Sequence, residues 1–533
     1  MSERPRASLD WVVALVLLAL LVLGATLRIR HVSTAFLVGD ELHSLPGLDH
    51  SYQRLLHSFD FEGSGLALPL LQKLSLDALG PGVVSLRMPA LLPSLLTLLL
   101  LPWLLWRTLD PGPTLVATAL LAANGLLAFY AGFARSYSLV GLLSLLVVVL
   151  ASRLADVERP RGATVVGLAL AAGLLPWAHL TSVPFLAAVF VALLAARWRG
   201  WGASRALPVY AAAAGGTLIS AALYAPALHR VLEVTRQKTL EEYEGSFDPV
   251  DVAGLLALGG RPSGWGLLIV LLAGGALVLR VDGVRRLPLV LGALAPIPLV
   301  FLVRPYGDAY AYARYAVPAL PAMILLVATS LRAATRDHGT TTRAWALAAL
   351  ALALGLTAFG PLAATQDGPF SNSYLTMEPL PAFDAPYPGQ PSAYRAIEPG
   401  ASIIEVPALI QNRSCLLYRN YYLRQPRTLL LGFLPDEEPV PPGPNVAVRP
   451  RELAGRADYL FVHRDVEREA DRYWRFVYQT AWPRLGGSRA LMERQASFGR
   501  PLPRPEPELL ERLERNFGAP VFADADVLVY RLR

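Results

Sequence analysis

Cysteine is nearly absent: Cys415 is the single one in 533 residues, which excludes an intramolecular disulfide and leaves the redox compartment undecided. Charge is scarce as well. Asp, Glu, Lys and Arg make up 17% of the chain against 54% hydrophobic residues, well below the roughly 25% charged residues of a soluble domain, and the mean hydropathy is +0.42. No His/Cys/Asp/Glu spacing matches a structural zinc site. No period of about 20 to 50 residues is evident, which argues against a solenoid. The apolar runs hold almost no ionisable residues in their middles, and ion-coupled transporters or proton pumps need them at that depth.

What fills the chain instead is apolar sequence in runs long enough to cross a bilayer core about 30 Å thick as helix. Eleven spans are expected, at roughly 11–28, 88–106, 114–131, 137–151, 163–178, 182–196, 207–225, 265–279, 287–303, 315–331 and 344–362. The first follows Arg4 and Arg6 like a signal peptide, yet its apolar run is long and its small-residue cleavage pattern poor, so an uncleaved span is expected. The net charge of +7 sits in short loops between spans, which makes it a topology signal and gives no reason to expect nucleic acid. With the N-terminus in the cytoplasm, the inner loops are "RTLDPGP", "SRLADVERPRG", "RWRGWGASR", "RVDGVRR" and "RAATRDHGTTTR"; four of the five carry three arginines each. Residues 29–87, 226–264, the "RPYGDAYAYAR" loop and everything after about 363 then face outward.

The tail reads differently. Short β-like runs, "SIIEVPALI", "RTLLLGF", "ADYLFVH" and "DVLVYRL", alternate with the helical stretch "PEPELLERLERNF". The expected organisation is a membrane domain over 1–364, whose outer loop 29–87 holds an acidic pair, and an extracytoplasmic α/β domain over 365–533 behind a Pro-rich linker. Neither the Asn-Arg-Ser at 412–414 nor the "HRD" at 463–465 has the context that would make it a motif.

Polar chemistry gathers at the expected outer ends of the spans: Asp40, Glu41, Asp60, Glu62, Lys73, Arg87, Arg135, Tyr137, His179, Arg304, Tyr306, Asp308 and Arg314. Such a site suits a substrate with a lipid tail in the bilayer and a polar head outside it. Plainer readings stand beside this one. Arg87 and Arg314 could be interfacial anchors that snorkel to headgroups, and His179 reads as a satisfied structural residue rather than a metal ligand. Arg135 sits in so short a turn that burial against neighbouring helices is expected. Asp40 and Glu41 are adjacent, so on a helix their side chains diverge by about 100°. They cannot form a symmetric clamp and should have different jobs. A carboxylate at a desolvated interface tends toward a raised pKa, which suits a general base.

Four stretches, in order and on one expected side of the membrane, carry a resemblance. "FLVGDELHSL" looks like the acidic first-loop motif of the membrane-embedded GT-C glycosyltransferases, in the bacterial group related to protein O-mannosyltransferases and the aminoarabinose transferase of lipid A. "LRMPALLPSLLTLLLLPWLL" looks like that family's Arg-x-Pro start of the second span, and "YAGFARSYSLVGLLSLL" like its Ala-Arg-x-Tyr-x-Leu start of the fourth. "ARYAVPALPAMILLVA" is similar to its Arg-Tyr-x-x-Pro-x-x-Pro late span. The likeness covers roughly residues 10 to 362. It implies a GT-C fold and an inverting glycosyltransferase that moves a sugar from a polyprenyl-phosphate donor to a hydroxyl of a glycan, lipid or protein acceptor, working among membrane lipids at the outer face of the cytoplasmic membrane.

Carried onto this sequence, the resemblance makes Asp40 the base and Glu41 its partner, orienting the acceptor or helping hold the site. Arg135 and Arg314 would grip the donor phosphate, joined by Arg304 on position alone, because a guanidinium fork suits phosphate oxygens. Tyr137, Arg87 and Tyr306 are further candidates. The chain departs from the family where relatives carry His-Pro-Pro: here the loop reads "DFEGSGLALPLLQ". Asp60 or Glu62 would supply a second acid, and the site would admit a divalent cation that no spacing assigns. A flippase or polymerase of lipid-linked glycans, or a non-enzymatic scaffold, remains an alternative.

Overall fold

The computed structural model describes residues 11–29, 51–59, 65–80, 83–106, 109–202, 205–240, 249–257, 261–299, 315–336, 341–359, 391–398, 403–406, 457–466 and 507–532, with single positions such as Val32, Glu41 and Leu48. The helices are α1 (Trp11–Ile29), α2 (Tyr52–His57), α3 (Ala67–Leu79), α4 (Val83–Trp106), α5 (Pro111–Ala123), α6 (Gly125–Ala131), α7 (Tyr137–Asp156), α8 (Gly162–Ala178), α9 (Val183–Trp201), α10 (Leu207–Tyr224), α11 (Leu228–Leu240), α12 (Pro249–Leu256), α13 (Arg261–Asp282), α14 (Leu287–Leu294), α15 (Pro296–Leu299), α16 (Leu320–Thr335) and α17 (Thr342–Phe359). Beyond them come α18 (Ala393–Ala396), β1 (Ile403–Val406), β2 (Tyr459–His463), α19 (Pro507–Phe517), β3 (Phe522–Ala523) and β4 (Val527–Arg531).

Every expected span coincides with helix in its described residues, but not every one is a single straight crossing. Among the described residues, seven helices are long and apolar enough to cross a membrane, or up to eight if a bent pair counts as one span, against the eleven expected. The expected span 114–131 is that pair: α5 and α6 meet at a 54° bend, where the Asn124 side chain accepts from the Leu127 amide at 2.9 Å and so starts a new helix. The expected span 287–303 breaks between α14 and α15, where Pro296 has no amide to continue the ladder. The fifth and eleventh expected spans correspond to shorter apolar helices. Pro within the first two helical positions opens α5, α9, α10, α14 and α16, where a missing amide costs nothing.

Small residues set the closest helix packing. On α8 and α10, Gly173 faces Ile219 and Gly216 faces Ala172, with no room for a Cβ at Gly173; Ser220 closes the pair by donating to the Gly173 carbonyl at 2.7 Å. Without a hydrophobic drive in lipid, such close approach supplies the attraction between helices.

The two ends of the bundle differ in chemistry. At one, Arg197 is buried and donates to the carbonyls of Leu154, Val157, Glu158 and Arg205 at 2.6–2.8 Å. Arg286 pairs with Asp156 at 2.9 Å, Arg205 with Glu158 at 2.8 Å, and Arg285 lies over the Trp201 ring at 4.2 Å. Three of the four loops with three arginines each thus meet at one end of α7. The other end of that helix, roughly 30 Å away at 1.5 Å per residue, begins at Tyr137 and carries the candidate site.

The C-terminal part forms a four-stranded mixed sheet in the order β1-β2-β4-β3, parallel between β1 and β2 and antiparallel elsewhere. All of β2 is buried. Leu460 and Val462 face Leu509 and Leu513 of α19. On the opposite face, His463 lies between Glu405 and Glu469, and Tyr394 donates to Glu405 at 2.6 Å; all four side chains are buried. "RTLLLGF" lies outside the described residues.

Candidate active site

Glu41 is the organising residue of the site. Its Oε1 accepts from Arg87 Nε at 2.9 Å and its Oε2 from Arg87 Nη2 at 3.0 Å, while Oε1 also accepts from the Ala134 amide at 2.6 Å. Both side chains are about 1% exposed. Arg87 reaches back as well, donating from Nη1 to the Val32 carbonyl at 3.0 Å. The reading of Arg87 as a snorkelling anchor is therefore corrected: its guanidinium is turned inward, because a carboxylate with matching fork geometry is within reach. Three distant stretches are tied at this point: the loop after α1, the start of α4 and the turn between α6 and α7.

Gln72 of α3 reinforces the same junction, donating to the carbonyls of Leu86 at 3.3 Å and Ala134 at 3.5 Å. The turn 132–136 that receives these bonds is short. Ser138 Oγ closes it onto the Tyr130 carbonyl at 2.9 Å, and Arg135 within it is buried, at 8% exposure.

An aromatic row runs from this turn into the neighbouring helix ends. Tyr130 meets Tyr137 edge-on at 4.8 Å, Tyr137 lies 5.7 Å from His179, and His179 meets Tyr315 at 5.5 Å. His179 Nδ1 and Thr181 Oγ1 are 2.7 Å apart, which fixes the ring, and the His179 carbonyl accepts from Ser182 Oγ at 2.7 Å. His179 thus occupies the turn between α8 and α9 as a held residue. With Tyr137, Ser144, Phe185 and Tyr315 it lines a cavity between α7, α9 and the segment 315–319 that leads into α16. Among the described residues no group of three His, Cys, Asp or Glu side chains is arranged to hold a metal ion.

The loop departing from the family pattern is pinned to this end too. Leu66 donates its amide to the Trp177 carbonyl at 3.0 Å, and Gly65 sits so close to the Ala178 carbonyl that a Cβ would collide with it. Just before the loop, Phe59 packs edge-on against Tyr224 at 6.3 Å. Lys73 braces α2 against α3: it approaches Asp77 at 3.8 Å, donates to the Leu48 carbonyl at 3.3 Å and lies over the Tyr52 ring.

Of the residues expected from sequence, the structure brings together Glu41, Arg87, Arg135, Tyr137 and His179 around one turn. Asp40, Asp60, Glu62, Arg304, Tyr306, Asp308 and Arg314 lie outside the described residues. Tyr315, the residue after Arg314, is described, and it rests on His179. Sequence reasoning missed Gln72, Tyr130, Tyr315 and Arg28. The Asn124–Gly125 pair is a cap and breaker signal in mid-run that marks the bend, and average hydropathy passes over it. Nothing in the sequence marked Gln72.

The chain is a multi-pass helical bundle with buried polar groups gathered at one end, followed by a small C-terminal mixed sheet. The particular likeness is to ArnT from Cupriavidus metallidurans. Its apo crystal structure matches with a TM-score of 0.51 at 14% identity, covering 98% of this chain and 98% of that one. The crystal structure of the same protein bound to undecaprenyl phosphate matches with a TM-score of 0.51 at 14% identity, over 79% of this chain and 86% of that one. No family model and no curated protein matches the chain. The fold is therefore ArnT-like.

Proposed function

We propose that the protein is an inverting glycosyltransferase that moves a sugar from a polyprenyl phosphate to an acceptor hydroxyl on the outer face of the cytoplasmic membrane. The observation that carries this reading is the junction built by Glu41. By holding Arg87 and the Ala134 amide together, it ties the segment bearing Asp40 to the turn bearing Arg135. A base and a phosphate-gripping cation are what such a transfer needs near one another. The ArnT likeness supports the same reading, since one of the matching structures is bound to undecaprenyl phosphate.

In this mechanism Asp40 takes the proton of the acceptor hydroxyl, and the resulting oxygen attacks the anomeric carbon. The bond from that carbon to the phosphate oxygen breaks, and polyprenyl phosphate leaves with the electron pair. Arg135, with Arg304 and Arg314, offsets the charge growing on the leaving phosphate, the largest electrostatic task of the site. Glu41 does not serve as a base here: both of its oxygens are engaged by Arg87, so its work is to position. Tyr137 shapes the donor side, Tyr306 is placed there by sequence, and Asp60 or Glu62 is the candidate second acid. The membrane domain spans 1–364 and the part from 365 onward lies outside the cell membrane in this reading.

The test uses purified protein in lipid with a panel of radiolabelled polyprenyl-phosphate sugars and candidate glycan, lipid and protein acceptors. Label should leave the lipid fraction with the unmodified chain and stay there with Asp40→Asn, which should still bind donor. Turnover undiminished by Asp40→Asn would discard the assignment of the base. Failure of every donor in the panel would count against a transferase.

A further inference from the structure

Arg28 lies at the end of the first apolar run, where an arginine is ordinarily a charge flanking the membrane. Its side chain is instead fully buried. Nε donates to Ser94 Oγ at 3.0 Å, Nη1 to the carbonyls of Gly24 at 2.9 Å and Ala122 at 3.3 Å, and Nη2 to the Leu121 carbonyl at 2.9 Å. All four acceptors are neutral.

Two of those carbonyls belong to the last turn of α5, at the 54° bend. The final four carbonyls of a helix have no partner within it, and water cannot supply one at membrane depth. A break in the backbone there is tolerated only where protein satisfies it. The guanidinium does so, and its charge also faces the negative end of the α5 dipole. Gly24 makes the reach possible. A Cβ at Gly24 would stand 2.9 Å from Leu98 and 3.0 Å from Ala122, so α1 approaches α5 with no side chain between them.

The bend sets where α6 points, and α6 runs directly into the turn whose Ala134 amide binds Glu41 at 2.6 Å and which carries Arg135. We infer that Arg28 is a positioning residue: it pins the break between α5 and α6 and thereby aims the Arg135 turn at the site. The link to catalysis rests on the function proposed above, whereas the pinning of the turn does not.

The experiment measures the turn directly. In a Cys415→Ser background, a cysteine is placed at Ser136, which is buried in the turn, and separately at Ser152, which is buried near the far end of α7. Each is labelled with a thiol reagent in lipid, with Arg28 intact or changed to Met or Lys. With Arg28→Met, labelling at position 136 should accelerate about tenfold, the effect of losing roughly 1.4 kcal/mol of local closure, while position 152 stays as it was. Arg28→Lys should fall between, because one ammonium cannot serve Ser94 and both carbonyls as a planar fork does. In the turnover assay the same variants should raise the donor KM and leave the acceptor KM unchanged. Unchanged labelling at position 136 in both variants would overturn the inference, and so would an equal rise at position 152, which would mean general loosening. If no donor is ever turned over, the proposed function fails by itself while the labelling still decides the role of Arg28.

Discussion

Arg87 and Glu41, 46 positions apart in the chain, form a two-pronged ion pair with almost no access to solvent. Taking two charges out of water is costly, and such a pair holds only because its geometry is good and its spare valences are filled, here by the Ala134 amide and the Val32 carbonyl. Its cost suggests a pair kept for where it holds the chain rather than for raw stability.

Breaking one side should be severe. Glu41→Gln leaves the Arg87 cation buried without its counter-charge, and removing one partner of a buried pair typically costs about 3–5 kcal/mol. The expected outcome is a clear fall in thermal unfolding temperature in detergent. Combining it with Arg87→Met should recover much of the lost stability, since no charge is then left buried without its counter-charge. Turnover should not recover, because the junction is gone. Recovery of both would show that the pair has no positioning role.

How much of this was legible beforehand differs by element. The expected spans, the strands β1, β2 and β4, and the helix at 507–517 follow from apolar periodicity, which local sequence carries. Asn124 and Pro296 interrupt two of those runs, and a hydropathy count averages over them. The Glu41–Arg87 pair was legible only as two residues at one end of the bundle, because their meeting is a tertiary contact between a loop and a helix start. Arg28 escapes a reading of the sequence for a plainer reason: its context is that of any flanking arginine, and only the position of the α5 break shows what it serves. The Glu405–His463–Glu469 cluster left no signal, since its members come from a strand, a second strand and the segment after it.

Gly65 should be intolerant of any side chain. A Cβ there would meet the Ala178 carbonyl, which is backbone and cannot swing aside. Gly65→Ala is expected to separate this loop from the α8–α9 turn and break the Leu66–Trp177 hydrogen bond, at a cost of about 1–3 kcal/mol for overpacking. Thermal unfolding should register the loss. If the loop serves the site, donor turnover should fall by more than Gly162→Ala lowers it, since nothing lies within 4 Å of a Cβ at Gly162.

His463 gives the C-terminal sheet a defined response to alkali. Burial opposes its charge, but the neighbouring Glu469 and Glu405 outweigh that and push its pKa up to about 10, from an ordinary 6.5. The folded state therefore holds the proton more tightly than the unfolded chain does. Its stabilisation is fully present below pH 6.5 and drains away as pH rises toward 10. Amide exchange in the β2 strand, corrected for the intrinsic effect of pH, should accelerate across that window. His463→Gln should begin less protected and lose little more between the same two pH values. Protection that instead held steady to pH 10 in the unmodified chain would show the imidazolium contributing nothing to the fold.

The two ends of α7 give the orientation a direct test. Arg197, Arg205, Arg285 and Arg286 cluster with Asp156 at one end, and Tyr137 begins the other. A concentration of arginine in short loops marks the cytoplasmic side, so the site should open on the opposite face. Single cysteines in a Cys415→Ser background, at Arg159 between α7 and α8 and at Tyr52 at the start of α2, should label with a membrane-impermeant reagent in opposite senses. In intact cells stripped of any outer membrane, position 52 should react and position 159 should react only after lysis. The reverse pattern would put the Glu41 junction in the cytoplasm. It would then bar an extracellular acceptor, whatever the chemistry of Asp40.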